Sequence, residues 1–201
     1  MDSFFDRVTH RWPAGRKDYH WHILPPLQQA RAALFGPYRE LTHREGLIPV
    51  EPAWYHVTVL HSAPVQQVTD GELEQIVAGV RQRCATEAPF DLTVDRPAVG
   101  SVAVECPARP GAPARRLWQA TVEASTAVIG DRVPVLPAVS YPHMSLAYVT
   151  DHVDHRPMKV WLSDHDIAPV TIRVENISLV AQSHDGRRIT WQHILDVPLG
   201  G

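Results

Sequence analysis

The clearest alternation of apolar and polar side chains near the start of the chain is Tyr19-His20-Trp21-His22-Ile23-Leu24. Its period of two predicts a strand with Tyr19, Trp21 and Ile23 turned to the core. Pro25 and Pro26 end that strand, and Pro26 opens a helix whose pattern Leu27, Ala30, Arg31, Leu34 carries it to about Leu41, with Gly46 closing the region. The segment from Pro49 to Pro52 feeds a second apolar run, Trp54 to Leu60, and a loop from Pro64 to Asp70 leaves it. Asp70 is placed to cap a helix with Leu73, Ile76, Val77 and Val80 on one stripe, ending near Thr86. That spacing is the signature of a packing face.

Two further strands are predicted at 90–94 and 99–105, followed by a loop rich in Pro and Arg at 106–116 and a helix at 117–129. Pro134, Pro137 and Pro142 then restrict the backbone ahead of another apolar run, 143–148. A helix is expected at 154–162. The chain closes as a hairpin, 170–181 and 188–197, around Ser183-His184-Asp185-Gly186, whose Asp-Gly is a strong turn signal. Residues 1–17 show no regular pattern and are expected to drape over the surface as an N-terminal extension.

A length of 201 residues fits one domain, or two small lobes at roughly 18–105 and 117–197 that are free to intertwine, and 44% hydrophobic content is ample for a packed core. The net charge of −3 argues against a protein that grips long nucleic acid through many phosphates, but leaves a short or terminal phosphate substrate open. No apolar run is long enough to suggest a membrane span, and the N-terminus lacks a signal-peptide pattern, so a cytoplasmic protein is expected. Cys84 and Cys106 form neither a disulfide framework nor a thiolate metal pattern.

The chemistry concentrates in the two apolar runs. His56-Val57-Thr58-Val59 and His143-Met144-Ser145-Leu146 each carry a histidine, one residue, a hydroxyl residue and an aliphatic residue. In a strand His56 and Thr58 share one face, as do His143 and Ser145, so each run turns an imidazole and a hydroxyl the same way. A single copy is a common accident. Two copies suggest two similar units meeting across a site.

These motifs resemble those of the two-histidine phosphoesterase superfamily, and within it the 2'-5' RNA ligase-like, or cyclic phosphodiesterase, branch. The resemblance spans about 18–197. It implies an α+β, bilobal fold with a pseudo-twofold repeat, two antiparallel sheets facing a central cleft and helices packed outside. Two positions depart from the usual pattern: the fifth residue after the first histidine, often aromatic in relatives, is His61, and the fifth after the second, often Arg or aromatic, is Tyr148. Both bear on substrate rather than on the core chemistry.

The implied activity is a metal-independent opening of a 2',3'-cyclic phosphate on an RNA end or nucleotide, reversible as 2'-5' ligation, with no cofactor. One neutral imidazole takes a proton from the attacking water and the other, protonated, gives one to the departing ribose oxygen. The hydroxyls of Thr58 and Ser145 donate to the nonbridging oxygens as charge builds. The catalytic candidates are therefore His56, Thr58, His143 and Ser145. Trp54 and Tyr148 are candidates for stacking on a base, although strict alternation puts Tyr148 on the face opposite His143 unless a bulge intervenes. Arg115, with Arg116, is a candidate for reaching a substrate phosphate from the 106–116 loop. Twelve histidines raise a metal-dependent hydrolase as one alternative, through His20-Trp21-His22 and Asp151-His152-Val153-Asp154-His155, but neither has the further ligands of a specific site. A module that binds RNA ends or nucleotides without turnover is the other. The expected partner is a small nucleotide or RNA-end phosphodiester, and the default assembly is a monomer.

Overall fold

The computed structural model describes residues 1–132 and 141–201. In chain order the elements are α1 (Phe4–Val8), β1 (Asp18–Ile23), α2 (Leu27–Ala30), α3 (Arg39–Thr42), β2 (Leu47–Pro49), β3 (Val57–Pro64), α4 (Asp70–Cys84) and β4 (Phe90–Val94). They continue with β5 (Ala98–Val99), β6 (Ala103–Arg109), α5 (Gly111–Ile129), β7 (His143–Val149), α6 (Arg156–Asp164), β8 (Val170–Val174), β9 (Asn176–His184) and β10 (Ile189–Pro198). Pro134 and Pro137, expected to lead into β7, lie outside the described residues.

Two antiparallel sheets gather these strands in an α+β arrangement. One runs β10-β9-β1-β3, the other β2-β7-β6-β4-β8 with β5 beside β6. Each sheet draws on both halves of the chain, so the halves interleave rather than fold as consecutive lobes. The long strand expected at 170–181 is in fact two strands in different sheets. Burial alternates through β8, then breaks where Glu175 and Asn176 are both exposed, and the chain crosses from one sheet to the other there.

Outside the four-stranded sheet, α4 and α5 pack on each other and against β10 and β3. Trp21, Ile23 and Leu179 are buried on the strands behind this cover. The helices meet closely at Gly79, where an added Cβ would sit 3.1 Å from the Cβ of Ala124. Thr69, rather than Asp70, caps α4: its hydroxyl accepts from the Glu72 N–H, while the Glu72 carboxylate accepts from the Thr69 N–H at 2.9 Å. The helix expected from Leu27 to Leu41 is broken into α2, a wide turn at Arg31–Phe35 and α3, because Pro37 offers no N–H to a continuous ladder. Much of the predicted 106–116 loop is regular structure as well: β6 extends to Arg109 and α5 begins at Gly111.

The N-terminal extension does not drape over the surface. Phe5 is 3% exposed and Trp12 8%, and both belong to the core cluster. Phe5 meets Tyr148 of the six-stranded sheet at 5.7 Å and His184 of the four-stranded sheet at 5.4 Å, while Trp12 meets His184 at 4.6 Å and His20 at 5.7 Å. A one-turn helix is too short to register as periodicity, yet its aromatic side chains close one end of the space between the sheets. Among the described residues no helix is long and apolar enough to cross a membrane.

Candidate active site

Both motif strands carry a β-bulge at the aliphatic residue after the hydroxyl. In β3, Thr58 pairs with His22 and Leu60 with Trp21, which leaves Val59 as the extra residue, and His61 then pairs with His20. Paired residues of an antiparallel ladder share a face, so Thr58, His61, His20 and His22 all point the same way. In β7, Ser145 pairs with Glu105 and Ala147 with Val104, leaving Leu146 unpaired, and Tyr148 pairs with Ala103. Glu105 and Ala103 are two residues apart on one face, so Tyr148 returns to the face of Ser145. The bulge that simple alternation lacks is therefore present. It makes His61 and Tyr148 equivalent positions in the two halves of the site.

The imidazoles are held alike. His56 Nδ1 lies 2.9 Å from the Trp54 carbonyl oxygen and His143 Nδ1 lies 3.3 Å from that of Tyr141. A carbonyl only accepts, so each Nδ1 carries the proton and each Nε2 is left to exchange one. Local structure prepares both anchors. Pro52–Trp54 forms a tight turn that precedes the extended Tyr55, and the Pro142 carbonyl is fixed by the Ala108 N–H at 2.8 Å. Strands β3 and β7 approach each other between the sheets, and His143 is near enough to His56 and His61 to help lower the pKa of both.

Their surroundings differ. The His56 ring stacks on His22, with centroids 4.1 Å apart and an angle of 21° between planes, and meets the edge of Trp191 at 5.0 Å. Burial pulls its pKa down to about 4; the bond to Trp54 opposes this, and His61 and His143 reinforce it. His61 is pulled to about 4 by burial and by His143. The side chain of His143 is 30% exposed, and its Nε2 lies 3.8 Å from the Glu105 carboxylate. The other Glu105 oxygen accepts from the Tyr141 hydroxyl at 2.7 Å.

Behind His56 and His61 stand His20 and His22, both fully buried. His20 packs on His61 at 4.3 Å and on His22 at 5.6 Å. Burial, with the neighbouring histidines, takes both well below the ordinary imidazole value, and His22 Nδ1, His22 Nε2 and His20 Nδ1 have no hydrogen-bond partner among the described residues. His20 and His22 thus lie at the floor of the cleft, beneath His61 and His56. Among the described residues no group of three or more His, Cys, Asp or Glu is arranged to hold a metal ion. In the 151–155 segment, His152 faces Asp2 at 3.6 Å and Asp154 binds Arg156, both on the surface.

The remaining candidates divide. Trp54 is partly buried and meets Trp191 at 5.0 Å, one ring removed from His56. Tyr148 is on the cleft face but 5% exposed, with Phe4 across its ring at 4.5 Å, so it offers a phenol edge more than an open stacking face. Burial raises the pKa of that phenol, and the nearby Ser145 hydroxyl works against the rise. Arg115 stands exposed in the second turn of α5, where no hydrogen bond or ion pair among the described residues ties it to the motif strands, and Arg116 is paired with Glu87 at 2.7 Å. Pattern reading passes over Trp191, Glu105 and Tyr141. Only the tertiary arrangement brings Trp191 to His56, whereas Tyr141 and Glu105 are findable as neighbours of His143 in sequence and register.

Residues 23–186 match the family model described as the 2'-5' RNA ligase superfamily. No curated protein matches the chain by sequence. Among solved structures, E. coli LigT complexed with 3'-AMP superposes with a TM-score of 0.70 at 14% identity, covering 92% of this chain and 99% of LigT. TT0787 of Thermus thermophilus gives 0.69 at 19% identity, covering 92% and 98%. Usb1 of Kluyveromyces marxianus is more distant, at 0.52 and 13% identity over 92% and 98%. At such identities the likeness establishes the fold: two antiparallel sheets, helices outside and a cleft between.

Proposed function

The chain belongs to the 2'-5' RNA ligase superfamily, and from that premise we propose that it opens 2',3'-cyclic phosphates by two-histidine general acid and base catalysis without a metal. The supporting observation is the matched pair of imidazoles, each pinned through Nδ1 to a backbone carbonyl with Nε2 left for proton exchange. His56, kept neutral by burial, takes the proton from the attacking water. His143 gives a proton to the departing ribose oxygen through its Nε2, which lies 3.8 Å from the Glu105 carboxylate. Thr58 and Ser145, on the same faces as their histidines, donate to the nonbridging oxygens. The reverse sequence of steps joins a hydroxyl to the cyclic phosphate, which is ligation.

A small nucleotide-like substrate agrees with the net charge of −3 and with the ligands named for LigT, which include 3'-AMP, ATP and NADP+. The test is hydrolysis of the four nucleoside 2',3'-cyclic monophosphates in EDTA, resolving 2'- from 3'-monophosphate products. Each proton transfer contributes roughly 10²–10⁴-fold, so His56→Ala and His143→Ala should each lose activity on that scale. Full activity in either variant overturns the assignment. Binding of cyclic phosphate without turnover by the wild type would favour a recognition module instead.

A further inference from the structure

The two halves of the site differ at the position across the ladder from the hydroxyl residue. Opposite Thr58 stands the fully buried imidazole of His22, whereas opposite Ser145 stands Glu105. Paired residues of an antiparallel ladder share a face, so the Glu105 carboxylate is turned into the cleft. From beside Ser145 it leans diagonally to the next residue on that face and comes within 3.8 Å of His143 Nε2. The side chains of His143 and Glu105 keep 30% and 22% of their surface open, so a bound molecule can reach both.

Tyr141 holds both members of this pair at once. Its main-chain carbonyl faces His143 Nδ1 at 3.3 Å, and its phenol donates to Glu105 Oε1 at 2.7 Å. Glu105 Oε2 is thereby left facing His143 Nε2 across a gap too long for a hydrogen bond. Two hydrogen bonds of about 2.8 Å that share one oxygen atom span such a gap. That oxygen has to accept from the protonated ring and donate to the carboxylate, which is the pattern of a hydroxyl. A nonbridging phosphate oxygen does not fit there, since it has no proton to give and the carboxylate repels it.

We propose that Glu105 is a specificity-determining residue that accepts the hydrogen bond of the ribose hydroxyl released when the cyclic phosphate opens, with Tyr141 as its positioning residue. This deepens the reading of the reaction given above and rests on it for the placing of the departing oxygen at His143. As water adds to phosphorus and the bond from phosphorus to the ribose oxygen breaks, His143 passes its Nε2 proton to that oxygen. The new hydroxyl then turns its hydrogen to Glu105, which frees Nε2 to recover a proton from solvent while the product is still bound. Glu105 neither gains nor loses a proton. Its contribution is to favour a ligand that carries a hydroxyl beside its phosphate.

The test is calorimetric titration of two pairs of product-type ligands. One pair is adenosine 3'-monophosphate and its 2'-deoxy form; the other is adenosine 2'-monophosphate and its 3'-deoxy form. In one of the pairs the wild type should bind the hydroxylated member at least about tenfold more tightly, the scale of one hydrogen bond to a charged group. Glu105→Ala should bring that ratio towards one. Glu105→Gln, which keeps an acceptor oxygen without the charge, should retain part of it. Tyr141→Phe leaves the carbonyl on His143 and removes the phenol from Glu105, so the ratio should fall there too. A merely structural role would weaken all four ligands together and leave the ratio alone. Melting curves establish that each variant folds, and if the alanine variant does not, the glutamine variant decides. Wild-type ratios near one in both pairs, a ratio unchanged in the deciding variant, or no binding of any of the four ligands overturns the proposal. The two readings fail separately: a preference that depends on Glu105 without turnover of any cyclic phosphate removes the reaction alone, and turnover without the preference removes this proposal alone.

Discussion

Lowering the pH from 7.5 to 5 should destabilise the fold through its cleft histidines, before the carboxylates with depressed pKa values begin to titrate. His56 and His61 have folded-state pKa values of about 4, against an ordinary 6.5. Between those values the unfolded chain binds protons that the folded chain refuses, so stability rises with pH across the window. The contribution is complete above 6.5 and is lost as pH falls towards 4. At pH 5 the linkage amounts to at most about 2 kcal/mol for each ring, since both keep an edge on the cleft, and about 4 kcal/mol for the two. His20 and His22 are shifted in the same direction and add to the loss. Against a typical total of roughly 5–15 kcal/mol, this is a large fraction. Urea unfolding followed by circular dichroism at constant ionic strength, from pH 5 to 7.5, measures it directly. His61→Phe keeps an aromatic ring but does not titrate, and its stability should fall less steeply over the same range. A midpoint that does not move between pH 7.5 and 5, or a slope in His61→Phe equal to that of the wild type, would refute the account of the cleft floor.

Three further outcomes are expected. The acid limb of kcat/KM should lie near pH 4 rather than 6.5, because His56 must be neutral to act as base and its pKa is lowered by burial; a half-rise at 6.5 would remove His56 from that role. Thr58→Val and Ser145→Ala should each lower kcat by about 10²–10³-fold, the cost of one donor to a developing oxyanion, and single-turnover rates would detect it. Trp12→Ala should destabilise the protein by about 3–5 kcal/mol in chemical denaturation, as for a buried aromatic, whereas a loss below about 0.5 kcal/mol would mean that the N-terminal segment is surface after all.

The local facts are legible in the sequence because they depend on the strand period alone. His56 with Thr58, and His143 with Ser145, share faces whatever sheet they join, and the Asp185-Gly186 turn needs only a carboxylate acceptor beside a residue free to take positive φ. The stripe Ile76, Val77, Val80 is likewise buried as helical spacing requires. A bulge escapes such reading, since one extra residue is recognised only against the partner strand. Strict alternation therefore assigns Tyr148 to the wrong face, and His61 stands out only as an unusual residue. His20 and His22 are legible as a pair on one face but not as a buried floor, because burial depends on Trp12 and His61 arriving from elsewhere.

The sequence by itself thus determined the chemical inventory: two imidazole and hydroxyl pairs in strands, and most of the helices and turns around them. Tertiary structure decided which groups meet. It interleaved the two halves of the chain into both sheets, inserted Phe5 and Trp12 between them, and set Trp191 against His56. It also made the two histidines unequal, enclosing His56 and leaving His143 open beside Glu105. The physical reason is range. Periodicity and turn chemistry act over a few residues, whereas burial, and the cost of charge that follows from it, are set by partners from distant parts of the chain.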